Sequence, residues 1–260
     1  MAWRCSAATN AGMVAALQQE GLIKTPEVAD VMRRVDRAFF VRNRAEAYLD
    51  QPLSIGYGVT ISAPHMHAIM LELVCDSVLH HQQLDRGHRQ PLRLLDVGSG
   101  SGYMTAAFAA LCEAVGHGGP APMFDVVGVE HAPELLRQSE KVLTEHFPDW
   151  MREQRVRLLN GDGRKPRSIA GAGIGPADAF DVIHVGATAP QAVVPEYLRL
   201  LRNGGTLVIP VGQPSEVQAL RVFSKKCAGE VSIRHVCDVQ FVPLTSLDTQ
   251  LGRNASNSNV

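Results

Sequence analysis

The sequence predicts an α/β protein whose mostly parallel sheet is covered by helices on both faces. From residue 92 onward, five short segments rich in branched apolar residues follow one another, and most are separated by stretches with helical spacing. Near-continuous apolar strands that alternate with helices are typical of a parallel sheet buried on both sides. The predicted strands are LRLLDVG (92–98), DVVGVEH (125–131), RVRLLNGD (155–162), FDVIHVGA (180–187) and GTLVIPV (205–211).

Two helices are predicted ahead of this sheet, over residues 11–20 and 26–37. Thr25 and Pro26 are expected to begin the second helix. The threonine hydroxyl would act as N-cap, and the proline would occupy the first helical position, where a missing N–H costs nothing. Apolar residues then recur at helical spacing on one face, namely Val28, Val31, Met32 and Val35.

The C-terminal part predicts an antiparallel edge to the sheet. Segments 219–226 and 231–243 are joined by a short turn at Ala228 and Gly229 without an intervening helix, which indicates a hairpin. The helices that separate the earlier strands are predicted at residues 133–147 and 191–201. Three insertions rich in His, Gly or Pro are expected at the surface, at residues 80–91, 116–124 and 164–179.

Length and composition favour one globular domain. Of 260 residues, 45% are hydrophobic and 20% charged, so we expect a single domain over residues 1–250. Within it, residues 1–90 form a helical and active-site loop part and residues 91–250 the sheet core, and residues 251–260 are expected to be a flexible tail.

The net charge indicates which kinds of partner the protein can bind, and the cysteines indicate its cellular compartment. A net charge of −1 without a long basic run argues against nucleic acid and anionic membranes as partners. The five cysteines are scattered and form no C-x-x-C, and the N-terminus lacks the apolar core of a signal peptide. These features predict a soluble protein in a reducing, intracellular compartment.

The strongest chemical motif is LLDVGSGSGYMT at residues 94–105, where a buried strand leads through Asp96, Gly98, Gly100 and Gly102 into a helix. Glycines allow a sharp turn and let a ligand approach the main chain closely. The spacing differs from the G-x-G-x-x-G of dinucleotide sites, and the acid before the loop would repel a pyrophosphate. S-adenosylmethionine fits better, because it carries ammonium and sulfonium charges and no phosphate.

Two further acids are expected at the ends of neighbouring strands. Glu130 ends the second strand, where a carboxylate can accept hydrogen bonds from both hydroxyls of a ribose. Asp162 ends the third strand and could accept from the amino group of an adenine. Each acid alone could equally be a helix cap or a solvated side chain. Together with Asp96 they form a series at the sheet edge where open α/β proteins bind ligands.

The segments TISAPHMHA, DVGSGSGY, NGDGR, HVGA, PVG and VPLT, in this order, resemble the protein-L-isoaspartate O-methyltransferase family. The likeness extends over residues 1–250 apart from the three insertions. It implies the Rossmann-like, seven-stranded class I methyltransferase fold with extra N-terminal helices. It also implies S-adenosylmethionine as methyl donor, the free carboxylate of L-isoaspartyl residues in damaged proteins as acceptor, and a monomer in the cytosol. Whether D-aspartyl residues are accepted is left open.

The resemblance also carries site residues onto this chain. By position, Ser62 matches the active-site serine of the family, and we expect Thr60, Ser62 and His65 to contact the acceptor. Loop motif and resemblance together predict a donor site formed by Val59, Thr60, Ile61, Ser62, His67, Asp96, Gly98, Ser99, Gly100, Ser101, Gly102, Glu130, His131, Asp162, Gly163, Thr245 and Gln250.

An acceptor carboxylate explains the polar side chains in VTISAPHMHA. A carboxylate with a pKa of about 4 is already ionised at neutral pH, so its methylation needs no general base. It must instead lose water, and the Thr60 and Ser62 hydroxyls can replace part of that hydration. The pair His65 and His67 could ligate a metal, but no Asp, Glu or Cys cluster completes a shell, so no metal is expected. One histidine is expected to bond in the donor pocket and the other to order the loop.

Two other functions are compatible with the same fold. Methyltransferases that act on amino groups of nucleic-acid bases commonly carry an Asn/Asp-Pro-Pro-aromatic loop after the fourth strand, where this chain reads HVGATAP. The near-zero net charge argues against that function as well. An inactive adaptor that only recognises isoaspartyl sites is disfavoured, because the glycines, the acids and Ser62 are all intact.

Overall fold

The N-terminal part of the chain builds helices and a small hairpin in front of a large sheet. The computed structural model describes residues 5–84, 91–115, 124–169, 180–214, 216–226 and 229–252. Single 3-10 turns occur at Arg37–Phe39 and Arg44–Glu46. The regular elements of this part are α1 (Asn10–Gln19), α2 (Pro26–Arg34), the antiparallel strands β1 (Leu53–Gly56) and β2 (Val59–Ile61), and α3 (Pro64–Leu84).

The central sheet has seven strands in the order β5-β4-β3-β6-β7-β8-β9. Its first five strands are parallel, whereas β7–β8 and β8–β9 pair antiparallel. This architecture confirms the predicted α/β fold and its antiparallel edge. The strands are β3 (Leu92–Val97), β4 (Phe124–Glu130), β5 (Val156–Asn160), β6 (Phe180–Val185), β7 (Leu201–Val211), β8 (Gln218–Lys225) and β9 (Val231–Val239).

Helices cover both faces of this sheet, because successive strand residues point to opposite sides. In β3, Leu94 packs into a core shared with the N-terminal helices, and Leu95 packs into a second core with α7 and α8. No helix of the described ranges has both the length and the apolarity of a membrane span. The helices that follow α3 are α4 (Tyr103–Val115), α5 (Pro133–His146), α6 (Pro148–Arg152), α7 (Pro166–Ile169), α8 (Val194–Leu200) and α9 (Leu247–Gln250).

The start of α2 differs in detail from the expectation. Thr25 is its N-cap residue and Pro26 its first residue, but the threonine side chain does not bond to the helix. Its hydroxyl donates to the carboxylate of Glu72 on α3, which also accepts the backbone N–H of Lys24 at 2.8 Å and of Thr25 at 2.9 Å. A tertiary contact therefore replaces the local cap, and it ties α2 to α3.

The last predicted strand ends earlier than expected, at Val239 rather than 243. The chain leaves the sheet because buried Gln218 binds the backbone of Phe241, accepting from its N–H at 2.6 Å and donating to its carbonyl at 3.2 Å. Thr188 holds the next stretch, since its N–H donates to the Val242 carbonyl at 2.8 Å. The predicted insertions were drawn too wide, because residues 80–84 continue α3, buried Phe124 begins β4, and α7 ends at buried Ile169. Of these insertions and the tail, residues 85–90, 116–123, 170–179 and 253–260 lie outside the described residues.

Candidate active site

Two adjoining pockets form one cleft at the carboxyl edge of the parallel strands. They share Thr60, Gly98, Gly100 and Gly186 as lining residues. Gly98 follows β3 and Gly186 follows β6, while Glu130 ends β4. Open α/β sheets bind ligands at this edge, where strand order reverses between β3 and its two neighbours. The three predicted acids therefore lie where the fold class places a ligand.

The loop after β3 needs its glycines for two different reasons. Gly98 and Gly100 have φ of 76° and 55° and line both pockets, so they give the turn its shape and leave the main chain open to a ligand. Gly102 has φ of 85°, but a Cβ there would lie 3.1 Å from the Cβ of Ser139 on α5. Gly102 thus packs against a helix and does not line the cleft.

Asp96 is buried beneath this loop, with 1% of its surface exposed. One carboxylate oxygen accepts the Thr105 hydroxyl at 2.6 Å, and the other lies 2.8 Å from Nδ1 of His184. His184 is 4% exposed and shares the pocket wall with Asp96. The acid therefore acts on the cleft together with a histidine that was not among the predicted site residues.

Glu130 is held rigidly at the end of β4. Its two carboxylate oxygens accept the backbone N–H groups of Gly100 at 3.1 Å and of Ala132 at 2.9 Å. The neighbouring His131 bonds through Nε2 to the side-chain oxygen of Gln250 at 2.8 Å, which closes the pocket with α9. Each oxygen of Glu130 keeps a second lone pair for a ligand hydroxyl.

Asp162 is engaged more fully than the sequence suggested. Its carboxylate accepts from the backbone and the guanidinium of Arg164, over distances of 2.7 to 3.1 Å. Burial opposes ionisation of Asp162, but these bonds outweigh it, and the pKa of Asp162 falls below its ordinary value. The acid is therefore fixed in its ionised form as a hydrogen-bond acceptor at the pocket edge.

Ser62 lies between β2 and α3, on a loop fixed by a remote carboxylate. Helix α3 begins at Pro64, and Ala63 before it cannot cap the helix. Asp50 takes this role, because one of its oxygens accepts the N–H of His65 at 2.9 Å and contacts the Nδ1 of the same residue at 2.8 Å. His65 thus orders the loop and does not line the cleft, whereas Thr60 and Ser62 do.

His67 lies in the cleft wall, and its ring is fixed from two sides. Its Nδ1 is 3.2 Å from a guanidinium nitrogen of Arg37, and its ring stacks on Tyr103 with centroids 4.4 Å apart. Burial and the charge of Arg37 hold the pKa of His67 well below its usual value. The ring is therefore neutral at physiological pH.

The structure brings almost the whole predicted donor site together. Every residue of that set lines the cleft except Gly102, and of the predicted acceptor contacts only His65 lies outside it. Tyr103, His184 and Phe241 are among the lining residues that the prediction missed. His184 carried a visible signal, since it is a polar residue among apolar ones at the carboxyl end of its strand, beside the ligand edge. Arg37 carried none, because it is distant from every motif.

The cleft is built for a polar organic ligand. The Ser99 hydroxyl and the amide nitrogen of Gln250 are buried in its walls without a hydrogen-bond partner among the described residues. Buried polar groups are normally paired, so these two are open to a ligand. The described ranges contain no group of three or more His, Cys, Asp or Glu that could hold a metal ion.

A mostly parallel seven-stranded sheet with this cleft above a glycine loop defines a class of enzymes, the Rossmann-like S-adenosylmethionine-dependent methyltransferases. Within that class, residues 8–249 match the family model described as Protein-L-isoaspartate(D-aspartate) O-methyltransferase. The chain belongs to this family, which confirms the resemblance seen in the sequence.

Relatives from distant organisms extend over nearly the whole chain. Protein-L-isoaspartate O-methyltransferase 1 of Arabidopsis thaliana is 43% identical over 244 residues, which cover 93% of this chain and 94% of that protein. The Caenorhabditis elegans enzyme is 34% identical over 259 residues, covering 98% and 100%. A Plasmodium falciparum relative, solved in complex with S-adenosyl-L-homocysteine, superposes with a TM-score of 0.75 at 28% identity, covering 91% and 98%.

Proposed function

We propose that this chain transfers the methyl group of S-adenosylmethionine to the free carboxylate of L-isoaspartyl residues in damaged proteins, giving a methyl ester and S-adenosylhomocysteine. One observation carries the proposal. The loop with Thr60 and Ser62 shares a cleft with the glycine loop and its three acids, so acceptor and donor elements meet. Membership of the family and the ligand of the Plasmodium falciparum relative support the same function.

The donor would be held in three places. Glu130 would accept the ribose hydroxyls with the lone pairs that its backbone contacts leave free. Asp162 and Gly163 would receive the adenine, and the pocket lined by Asp96 and His184 would receive the amino-acid end. When bound, the donor supplies a methyl group made electrophilic by the sulfonium.

The acceptor requires little acid–base chemistry. An isoaspartyl carboxylate is ionised at neutral pH, with a pKa of about 4, so the site must strip its water and orient it. The Ser62 hydroxyl lines the cleft and has no hydrogen-bond partner among the described residues, so it is free to bind the anion. Apolar side chains beside it, Met66, Met70, Met104 and Phe241, exclude water.

The partners are isoaspartyl-containing proteins and peptides. We propose that the chain works as a monomer, since the described residues of one chain already form both pockets of the cleft, and that it acts in the cytosol on proteins rather than on nucleic acid or membranes. D-Aspartyl residues carry their free carboxylate on the side chain rather than on the α-carbon, with the opposite configuration at that carbon, so they are a second acceptor to be tested.

The test uses labelled S-adenosylmethionine and paired peptides that differ only in aspartyl or isoaspartyl linkage. The isoaspartyl peptide should be labelled and its partner should not. Equal labelling of both peptides, or of neither, contradicts the proposal. Sedimentation at micromolar concentration tests the monomer, and fractionation of cells tests the compartment.

A further inference from the structure

Arg37 is a charged group buried behind the cleft, and among the described residues no carboxylate forms a direct salt bridge with it, although the charge of Asp50 acts on it through space. No part of it is exposed to solvent. One guanidinium nitrogen faces Nδ1 of His67 at 3.2 Å, another donates to the Gln51 carbonyl at 3.4 Å, and Nε has no partner among the described residues. The nearby carboxylate of Asp50 is hydrogen-bonded to His65 instead. A buried charge costs stability, so its contact with a cleft residue calls for a functional reason.

The chemistry of arginine fixes the tautomer of His67. A guanidinium has five donors and no acceptor, so Nδ1 of His67 must offer its lone pair. A neutral imidazole then carries its single proton on Nε2. Nε2 has no hydrogen-bond partner among the described residues, and the ring lines the cleft, so this N–H is available to a ligand.

His184 lines the same pocket and is fixed in the opposite sense. Its Nδ1 faces Asp96, and an ionised carboxylate can only accept, so His184 donates from Nδ1. The Thr105 hydroxyl takes the second oxygen of Asp96, which keeps the carboxylate oriented. With its single proton on Nδ1, the imidazole form of His184 presents a lone pair on Nε2, again without a partner among the described residues.

We propose that Arg37 and Asp96 are positioning residues that hold these two histidines as opposite tautomers, so that together they bind a zwitterionic α-amino acid group. His67 donates its Nε2–H to the carboxylate of that group, and Nε2 of His184 accepts from its ammonium. This assignment rests on the proposed function, in which the zwitterionic group is the amino-acid end of the methyl donor. A neutral His67 also avoids repulsion of the sulfonium, which an imidazolium would cause.

The first test needs no ligand. Two-bond ¹⁵N–¹H spectra distinguish the tautomers of each histidine, and the variants His67→Gln and His184→Gln assign the two signals among ten histidines. We expect a proton on Nε2 of His67 and on Nδ1 of His184 at pH 7.5. The reverse tautomer at either residue, or an imidazolium, overturns the proposal. This readout does not depend on methyl transfer, so it is separate from the test of the proposed function.

The second test measures binding of donor fragments by calorimetry. Arg37→Met should weaken S-adenosylhomocysteine about 10-fold, the effect of one hydrogen bond to a charged group. It should leave 5′-methylthioadenosine, which lacks the amino-acid end, unchanged. His184→Leu should weaken S-adenosylhomocysteine similarly but not its deaminated analogue. Arg33→Met is the matched control, because Arg33 pairs with Asp30 on the surface of α2.

The outcomes separate ligand contact from folding. If Arg37→Met weakens the binding of S-adenosylhomocysteine and of 5′-methylthioadenosine equally, the variant has lost structure in general and the specific role is overturned. Unchanged binding of both compounds overturns it as well. If Arg37→Met does not fold, Arg37→Lys decides. Lysine is also a cation that only donates hydrogen bonds, so Arg37→Lys should retain the His67 tautomer and most of the affinity for S-adenosylhomocysteine. A changed His67 tautomer in Arg37→Lys would contradict the role of Arg37.

Discussion

Replacing Glu130 by glutamine tests the donor site most directly. In the folded protein both oxygens of Glu130 accept backbone N–H groups, from Gly100 at 3.1 Å and from Ala132 at 2.9 Å, and the side chain is 6% exposed. Glutamine has the same shape, but it replaces one acceptor oxygen by an NH₂ donor. One backbone N–H and one ribose hydroxyl therefore lose their acceptor together.

The magnitude follows from these two losses. A hydrogen bond to a charged group contributes roughly 1.5 to 3 kcal/mol, so Glu130→Gln should weaken S-adenosylhomocysteine binding roughly 10- to 100-fold. The orphaned N–H should also lower the free energy of unfolding by about 1 to 3 kcal/mol. Glu134→Gln is the matched control, because Glu134 lies nearby on α5 with its side chain 47% exposed and paired with Arg137. It should change neither quantity.

Calorimetry with S-adenosylhomocysteine and urea unfolding measure the two effects separately. A donor analogue without one ribose hydroxyl completes a double-mutant cycle. In the wild type, removal of the hydroxyl should weaken binding, and in Glu130→Gln the same removal should have a smaller effect. Full additivity in a folded variant would refute the assignment of Glu130 to the ribose.

Three further predictions concern the loop around Ser62. Ser62→Ala should slow turnover ~10- to 100-fold with unchanged affinity for S-adenosylhomocysteine, because the hydroxyl binds the acceptor carboxylate. Steady-state kinetics and calorimetry on the same preparation measure turnover and affinity. Asp50→Ala should lower the free energy of unfolding by about 1 to 3 kcal/mol, because α3 loses its cap and His65 loses its hydrogen-bond partner. Asp50→Asn keeps an acceptor oxygen, so its free energy of unfolding should fall less. Urea titration of both variants measures the difference. His67 binds a proton more weakly in the folded chain than in the unfolded chain. Below the ordinary histidine pKa of 6.5, the unfolded chain therefore takes up a proton that the folded chain does not. The free energy of unfolding of the wild type should then fall by up to about 1.4 kcal/mol for each pH unit of acidification. His67→Gln should lack this contribution in unfolding experiments at pH 7 and 5.5.

The sheet was predictable because each of its parallel strands is a nearly continuous run of apolar residues, which is a local feature of the sequence even where the paired strands are distant, as β3 and β6 are. The β1–β2 hairpin was not predicted, because strands of four and three residues are too short to show a period. Its turn is also unusual, since Tyr57 adopts a φ of 54° between Gly56 and Gly58. The end of β9 was misplaced because buried Gln218, more than twenty residues away, binds Phe241.

The same contrast between local sequence features and contacts of distant residues explains which site residues could be predicted. Asp96, Glu130 and Asp162 were predictable because each lies at or next to the carboxyl end of a strand, and parallel strands bring those ends to one edge. Arg37 and Asp50 were not predictable, because they act on the cleft through histidines that lie 30 and 15 residues further along the chain. Local motifs thus indicate which groups line the cleft, while the groups that orient them depend on tertiary packing.

Selectivity for a carboxylate acceptor follows from how the two cleft histidines are fixed. His67 presents an N–H to the cleft and has no lone pair there for a proton. His184 presents a lone pair, and in the proposed complex the donor's ammonium occupies it. An acceptor that must lose a proton as it attacks, such as a hydroxyl, therefore finds neither imidazole free to act as its base. A peptide carrying a hydroxyl in place of the isoaspartyl carboxylate should stay unlabelled even at saturation, and its methylation would show that His184 acts as a base.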